Sequence, residues 1–348
     1  MIYFQCDYAE GCHPNILEAL LHTNMEQTAG YGNDDHCRTA REKVKAACGR
    51  QDADVHFLVG GTQSNTTIIA SILRPHQGVI SADTGHIATH ETGAIEATGH
   101  KVLTIPTADG TISAQQVEAL CREHVTSHIG EHMVQPGMVY ISFPTEFGTL
   151  YSKAQLAALH DVCKAYGLPL FLDGARLGYG LMSPKNDLTL ADIAQLCDVF
   201  YIGGTKCGAL FGEAVVILNE ALKKDFRYAV KQHGGMLAKG RLLGIQFATL
   251  FTNDLYFSIC GQAVDLALSI RKAFEEKGVA LWGGSFTNQQ FPILTKGQMD
   301  YLRERGYIYE VWGPVEDGKT IVRFCTSWAT QPENVARLLK DIAAMQSI

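Results

Sequence analysis

The sequence reads FLDGARLGYG at residues 171–180 and YIGGTKCG at residues 201–208. Both stretches start within an apolar run and then turn polar, the first at Asp173 and the second towards Lys206. Short apolar runs that alternate with helix-period segments are typical of strand–helix–strand units and a largely parallel sheet. Ligands of such sheets bind beyond the carboxyl ends of the strands, so we expect Asp173 and Lys206 to share one edge.

The pattern continues outward from these two stretches in both directions. Residues 55–59 and 138–143 are predicted strands that end at Gly60-Gly61 and at Pro144. Serine followed three residues later by glutamine predicts capping boxes at Ser113 and Ser152, where helices begin. These alternating elements indicate an α/β fold with a mostly parallel sheet.

The last hundred residues have a different pattern. A mostly apolar, helical stretch is predicted at residues 239–274, and short strands follow it. A final helix is expected to open with a capping box of Thr330 and Glu333. We therefore predict an N-terminal arm (1–15), a large α/β domain (16–250) and a small C-terminal α+β domain (251–348).

Composition excludes several classes of protein. The chain has 348 residues, of which 46% are hydrophobic and 19% charged, so it is globular. A net charge of −7 makes nucleic acid an unexpected partner. No apolar run approaches the ~20 residues of a membrane span, and the start MIYFQCDYAEGCHP has no basic region followed by an apolar one, so we expect no export signal. The ten cysteines form no CxxC pair, so we expect free thiols in a cytoplasmic protein and no zinc knuckle.

A carboxylate and an amine on one sheet edge suggest pyridoxal phosphate. The lysine would form the Schiff base, and the aspartate would keep the pyridine nitrogen protonated. GGTQSN at residues 60–65 follows a strand and opens a helix, so its amides would face a phosphate. The imidazole of His86 follows another apolar run and would stack on the cofactor ring.

These residues resemble the threonine aldolase and β-eliminating lyase group of fold type I pyridoxal phosphate enzymes. The resemblance spans nearly the whole chain. Its markers, in chain order, are Asp7, His13-Pro14, Tyr31-Gly32-Asn33-Asp34, Gly61-Thr62 with Asn65, His86 with Glu91 and Gly93, Asp173 to Leu177, Gly203 to Lys206, Val322-Arg323-Phe324, and Thr326-Ser327-Trp328.

The resemblance implies a role for each of ten residues and a fold type I architecture. Lys206, Asp173 and His86 are the implied catalytic residues. The implied cofactor-binding set is Gly61, Thr62, Asn65, His86, Asp173, Arg176 and Lys206. The implied substrate-binding set is Arg323, Cys6 and Tyr31, with Arg323 on the substrate carboxylate. A homodimer or homotetramer with shared active sites is implied as well.

The implied activity is cleavage of L-threonine, L-allo-threonine or a related β-hydroxy amino acid to glycine and an aldehyde. The family usually has a serine before the N-terminal aspartate and a histidine in the loop after the central strand. Cys6 and the sequence PTEFG at residues 144–148 stand there instead. The base for the hydroxyl proton stays open between His86, His90, Glu91 and water.

Other functions remain as alternatives. The same scaffold supports β-elimination, racemisation or transamination of another small amino acid. A non-catalytic ligand-binding protein is disfavoured because Lys206, Asp173 and His86 are all present, and a nicotinamide oxidoreductase because no GxGxxG follows a strand. His124, His128 and His132 have helical metal-ligand spacing, but a solvated helix face is the favoured interpretation, so no metal is expected.

Overall fold

The structure, a computed structural model, describes residues 1–314 and 318–345. Its strands are β1 (Ile2–Tyr3), β2 (Asp54–Leu58), β3 (Gln77–Ala82), β4 (Val102–Ile105), β5 (Gln135–Ser142), β6 (Leu170–Asp173), β7 (Val199–Gly203), β8 (Glu213–Ile217), β9 (Gln289–Gln290), β10 (Ile293–Leu294), β11 (Tyr307–Ile308), β12 (Glu310–Pro314) and β13 (Thr320–Cys325). Its helices are α1 (Pro14–His22), α2 (Asp35–Cys48), α3 (Gly61–Ile72), α4 (His86–Thr89), α5 (Ala114–Thr126), α6 (Lys153–Tyr166), α7 (Leu177–Leu181), α8 (Leu190–Leu196), α9 (Glu220–Lys223), α10 (Phe226–Gln232), α11 (Arg241–Leu250), α12 (Leu255–Glu276), α13 (Lys296–Glu304) and α14 (Pro332–Ala344).

A seven-stranded sheet has the order β2-β8-β7-β6-β5-β3-β4. Strands β3 to β7 pair in parallel, and β8 is antiparallel to both β7 and β2. Successive residues of a strand point to opposite faces, so Val79 and Ile80 join different core clusters. Every residue of β6 and β7 is buried, as expected for inner strands covered by helices on both faces.

A second, smaller sheet is built from the C-terminal part of the chain. It has the order β10-β13-β12, and β9 also pairs with β13. The N-terminus joins this region, because β1 pairs in parallel with β11 and the Cys325 amide donates to the Phe4 carbonyl at 2.8 Å. Phe4 packs in the same core cluster as Phe274 and Leu338. The division at residues 15 and 250 stays a prediction.

Two of the predicted helix starts are confirmed and one is wrong. Ser113 and Ser152 each form both hydrogen bonds of a capping box. The last helix instead begins at Pro332 after Gln331, because proline is favoured in the first turn. Thr330 Oγ1 accepts a hydrogen bond from the Ser327 amide at 2.8 Å, so it belongs to the preceding turn.

The helical, mostly apolar stretch predicted at residues 239–274 consists of two helices. Helix α11 ends at Leu250 and α12 begins at Leu255. Asn253 and Asp254 lie between them with φ of 53° and 55°, a left-handed conformation that asparagine and aspartate tolerate better than most residues. The chain therefore turns at this point, and α12 packs against both α7 and α14.

Candidate active site

A cavity of about 670 Å³ opens at the carboxyl ends of the parallel strands. Most of the residues predicted from the sequence line it: Gly61, Thr62, His86, Asp173, Arg176, Lys206 and Arg323. Asn65 is fully buried behind the cavity wall and contacts Asp173. The sheet edge therefore brings together residues that are far apart in the sequence.

Asp173 is the last residue of β6 and is held by three donors. Its Oδ2 accepts from the Tyr140 hydroxyl at 2.6 Å and from Asn65 Nδ2 at 3.1 Å, and its Oδ1 accepts from the Ala175 amide at 3.0 Å. Burial and the charge of Asp173 raise the pKa of Tyr140 well above its usual value, so Tyr140 stays a donor. The carboxylate has one defined orientation in the cavity wall.

His86 is oriented by a buried carboxylate. Its Nδ1 lies 2.7 Å from Glu91 Oε1, and the same oxygen accepts from Asn65 Nδ2 at 2.7 Å. Because Asn65 Nδ2 also donates to Asp173, the side-chain amide of Asn65 links the carboxylates of Glu91 and Asp173. The imidazole plane is thereby fixed beside the cavity.

Lys206 lies in the turn that follows β7, in a partly polar environment. Burial and the charge of Arg176 lower its pKa, and the carboxylates of Asp7, Asp173 and Glu213 oppose this shift. A lysine with a lowered pKa has a larger share of the neutral, nucleophilic amine. Lys206 is therefore suited to attack a carbonyl carbon.

Glu213 holds the turn that carries Lys206. It accepts hydrogen bonds from the Gly204 amide at 2.9 Å and the Thr205 hydroxyl at 2.8 Å. Burial raises the pKa of Glu213 to about 8, although these hydrogen bonds and Lys206 oppose the shift. Gly204 is required here, since a Cβ would lie 2.6 Å from the Gly212 carbonyl oxygen.

The start of α3 forms a wall of the cavity that is suited to an anion. Gly61 and Thr62 lie in its first turn, where backbone amides have no acceptor within the helix. The positive end of the helix dipole and free amides together favour an anion such as phosphate. This wall faces the same cavity as Lys206.

Arg323 comes from β13 of the smaller sheet and lines the same cavity. It donates to Gln289 Oε1 at 3.1 Å and to the Gln5 carbonyl at 3.0 Å, and its guanidinium lies 5.0 Å from the Trp312 ring centre. Its Nε is buried without a partner in the described part of the chain. The free donor makes this arginine suited to a carboxylate ligand.

Two predicted substrate residues do not line this cavity. Tyr31 lies in a separate small cavity, where the Arg227 guanidinium donates to its carbonyl at 3.2 Å and the Lys231 amine lies 4.9 Å from its ring centre. Cys6 is partly buried next to Asp7 and lies outside the lining set. Their roles in substrate binding stay predictions.

Three buried groups at the site were missed in the sequence. Tyr140 lies inside β5, where an aromatic residue is expected to be part of the hydrophobic core. Glu213 starts β8, and because β8 is antiparallel, its first residue pairs with Gly203 at the carboxyl end of β7. Glu146 follows β5 in the loop PTEFG and was detectable by the same strand-end rule that found Asp173.

Residues 5–295 match the sequence model of the protein family Beta-eliminating lyase. The chain belongs to the beta-eliminating lyase family. This membership confirms the resemblance found in the sequence and the predicted class of lyase. In the described residues, no helix is long and apolar enough to cross a membrane.

Named relatives of the family align over almost the whole chain. The low specificity L-threonine aldolase of Pseudomonas aeruginosa is 29% identical and covers 97% of this chain and 96% of its own. A Leishmania major threonine aldolase structure is 46% identical, has a TM-score of 0.96 and covers 99% of both chains. These names agree with the predicted cleavage of a β-hydroxy amino acid.

More distant structures share the fold alone. A mutant aspartate aminotransferase of Thermus thermophilus is 15% identical, with a TM-score of 0.70 and coverage of 99% of this chain and 91% of its own. The predicted fold type I class, a mostly parallel sheet with an additional C-terminal sheet, is confirmed.

Proposed function

We propose that this protein is a pyridoxal phosphate-dependent lyase that cleaves L-threonine, L-allo-threonine or a related β-hydroxy amino acid to glycine and an aldehyde. The observation that carries the proposal is one cavity lined by Lys206, Asp173, His86, the start of α3 and Arg323. An amine, an oriented carboxylate, a helix start suited to an anion and a second cation together fit an enzyme that uses pyridoxal phosphate on an amino acid. The activities named for the relatives support the same choice.

The residues of the cavity fit the cofactor. The amides of Gly61 and Thr62 would hold its phosphate, Lys206 would attach to its aldehyde, and Asp173 would pair with its ring nitrogen. The side-chain oxygen Oδ1 of Asn65 is buried and has no hydrogen-bond partner among residues 1–314 and 318–345. It can therefore accept a hydrogen bond from a bound group. When bound, pyridoxal phosphate accepts the electron pair left when a bond to the substrate α-carbon breaks.

Each residue of the chain has a distinct task in this reaction. Arg323 binds the substrate carboxylate and so sets which bond to the α-carbon is aligned for cleavage. Asp173 supplies a fixed negative charge that its three donors keep in place. His86 forms a flat, rigid side of the cavity because Glu91 fixes its ring.

We also propose a homodimer or homotetramer whose subunits share their active sites. Leu21 and Met25, in and just after α1, have relative exposures of 75% and 88%. A second copy of the chain would cover them. Sedimentation equilibrium tests this proposal, and a monomer at micromolar concentration would contradict it.

The proposed function is tested by incubating the cofactor-loaded protein with L-threonine and identifying the products. Glycine and acetaldehyde in equal amounts are the expected result. Formation of 2-oxobutyrate and ammonia would instead indicate β-elimination, and a D-amino acid or a keto acid without ammonia would indicate racemisation or transamination. A matched incubation with L-allo-threonine measures the preference at the β-carbon.

A further inference from the structure

Glu146 is a buried carboxyl group in the cavity wall to which the proposed function has assigned no task. It is 9% exposed and lies four residues after the end of β5. Its Oε1 accepts hydrogen bonds from the His86 amide at 3.0 Å and from the Ser142 hydroxyl at 2.8 Å. Its Oε2 is buried and has no hydrogen-bond partner in the described residues. A buried polar atom without a partner needs an explanation, and a ligand hydroxyl would supply one.

The surroundings of Glu146 favour a group that exchanges protons. Burial raises its pKa, the Ser142 hydrogen bond opposes this, and the charge of Asp173 raises it further. The interaction with His86 instead lowers the pKa of Glu146. The titratable groups that face Glu146 from the surrounding elements are Asp173 on β6, His86 on α4, Tyr140 on β5 and Tyr151 before α6.

Several other acids and bases of the cavity are already engaged. Both oxygens of Asp173 and both oxygens of Glu213 accept hydrogen bonds from the protein. His86 Nδ1 is paired with Glu91. Glu310 accepts from Gln5 at 2.9 Å. His86 through its second ring nitrogen, the exposed His90 and Tyr8 also line the cavity, and they are the competitors for the role of base.

We propose that Glu146 Oε2 takes the proton of the substrate β-hydroxyl when the α–β carbon bond breaks. This inference rests on the proposed aldol cleavage. The O–H electron pair becomes the second bond of the aldehyde carbonyl, and the electron pair of the α–β bond stays with the α-carbon. The α-carbon then takes up a proton to give glycine, and Glu146 returns its proton to solvent. Protons and electrons balance without an oxidant.

The main test replaces Glu146 by glutamine in the cofactor-loaded protein. Glutamine keeps an oxygen that accepts from Ser142 and His86 but cannot take up the proton. We expect kcat for L-threonine to fall by about 10²–10³-fold. The dissociation constant for glycine, which has no hydroxyl, should stay within about twofold of wild type in an absorption titration. An unchanged kcat would overturn the proposal.

The pH dependence separates Glu146 from His90. A base must be unprotonated, so kcat/KM of wild type should fall as pH decreases through the raised pKa of Glu146. Glu146→Gln should lose this acid limb, whereas His90→Gln should keep it. Loss of the limb in His90→Gln alone would assign the base to His90 and overturn the proposal.

If Glu146→Gln does not fold, Ser142→Ala provides a second test of the role of Glu146. Removing the Ser142 hydrogen bond removes a contact that favours the charged carboxylate, so the acid limb should move to higher pH. An unshifted limb would count against Glu146. The infrared carbonyl band of the protonated carboxyl, isolated by subtracting the Glu146→Gln spectrum, reports the same titration without turnover.

The controls distinguish this inference from the proposed function. If loaded wild type releases no glycine from L-threonine, the proposed function is wrong. If wild type cleaves threonine and Glu146→Gln cleaves it equally well with the same acid limb, only the assignment of Glu146 is wrong.

Discussion

Arg176 donates two hydrogen bonds to Asp7, a residue 169 positions earlier in the chain, from Nε to Oδ2 at 2.7 Å and from Nη2 to Oδ1 at 3.0 Å. Asn288 from the C-terminal part of the chain donates to the same Oδ2 at 2.9 Å. Asp7 is fully buried. One carboxylate thus joins the N-terminus, the loop after β6 and the region around β9 next to Lys206.

This pair predicts an acid-sensitive contribution to stability. Burial raises the pKa of Asp7, but Arg176, Lys206 and the hydrogen bonds of Arg176 and Asn288 outweigh it and lower the value to about 2. Because the folded pKa lies below the ordinary 3.8, this contribution is present above pH ~4 and is lost as pH falls through ~2. Asp7→Asn leaves Arg176 uncompensated and should lower the free energy of unfolding by roughly 3 kcal/mol at pH 7.

Urea unfolding at pH 7 and over the range from pH 5 to pH 2 measures this effect. Asp52→Asn is the matched control. It breaks the exposed ion pair in which Arg50 Nη2 lies 2.7 Å from Asp52 Oδ2, and it should change the free energy of unfolding little. Equal stability of Asp7→Asn and wild type would contradict the prediction.

Lys206→Ala should abolish covalent attachment of the cofactor. Lys206 is the lysine that lines the cavity, so no neighbouring amine in the lining set can replace it. Mass spectrometry after borohydride reduction should show the cofactor adduct on wild type and not on the variant. Lys185→Ala removes an exposed lysine outside the cavity and should keep the adduct. An adduct that persists in Lys206→Ala would point to another lysine.

Asp173→Asn should lower kcat by about 10²–10³-fold with the cofactor still bound, because it removes a fixed charge from the reacting centre. Tyr140→Phe removes one donor to Asp173 but keeps the charge, so its loss of kcat should be clearly smaller. Steady-state kinetics with saturating cofactor compares the two variants. Equal losses would mean that orientation rather than charge is decisive.

Arg323→Lys should weaken binding of the amino acid carboxylate. Lysine cannot reproduce the planar fork of the guanidinium or its stacking on Trp312, so the glycine dissociation constant and KM for L-threonine should rise about 10–100-fold. Absorption titration with glycine measures the first and initial rates the second. Arg271→Lys, in α12 and outside the cavity, serves as the control. A change in kcat alone would mean that the substrate carboxylate does not bind to Arg323.

Local sequence determined the elements whose signals are local. The end of β6 at Asp173, the start of α3 at Gly61 and the two serine capping boxes depend on residues within one turn or one strand. The family also followed from the sequence, because its markers occur in order along the chain. The predicted box at Thr330 failed because Pro332 competes for the first turn.

The strand ends predicted that Asp173 and Lys206 share one edge, but only the tertiary structure decided which other residues join them. Glu213 reaches the turn of Lys206 because β8 runs antiparallel to β7, a direction that an isolated apolar run does not specify. Tyr31 matched the family pattern but lies in another cavity of the single chain. Asp7 pairs with Arg176 because β1 joins β11. Strand direction and long-range pairing come from burial of the whole core, so residues near each other in sequence do not encode them alone.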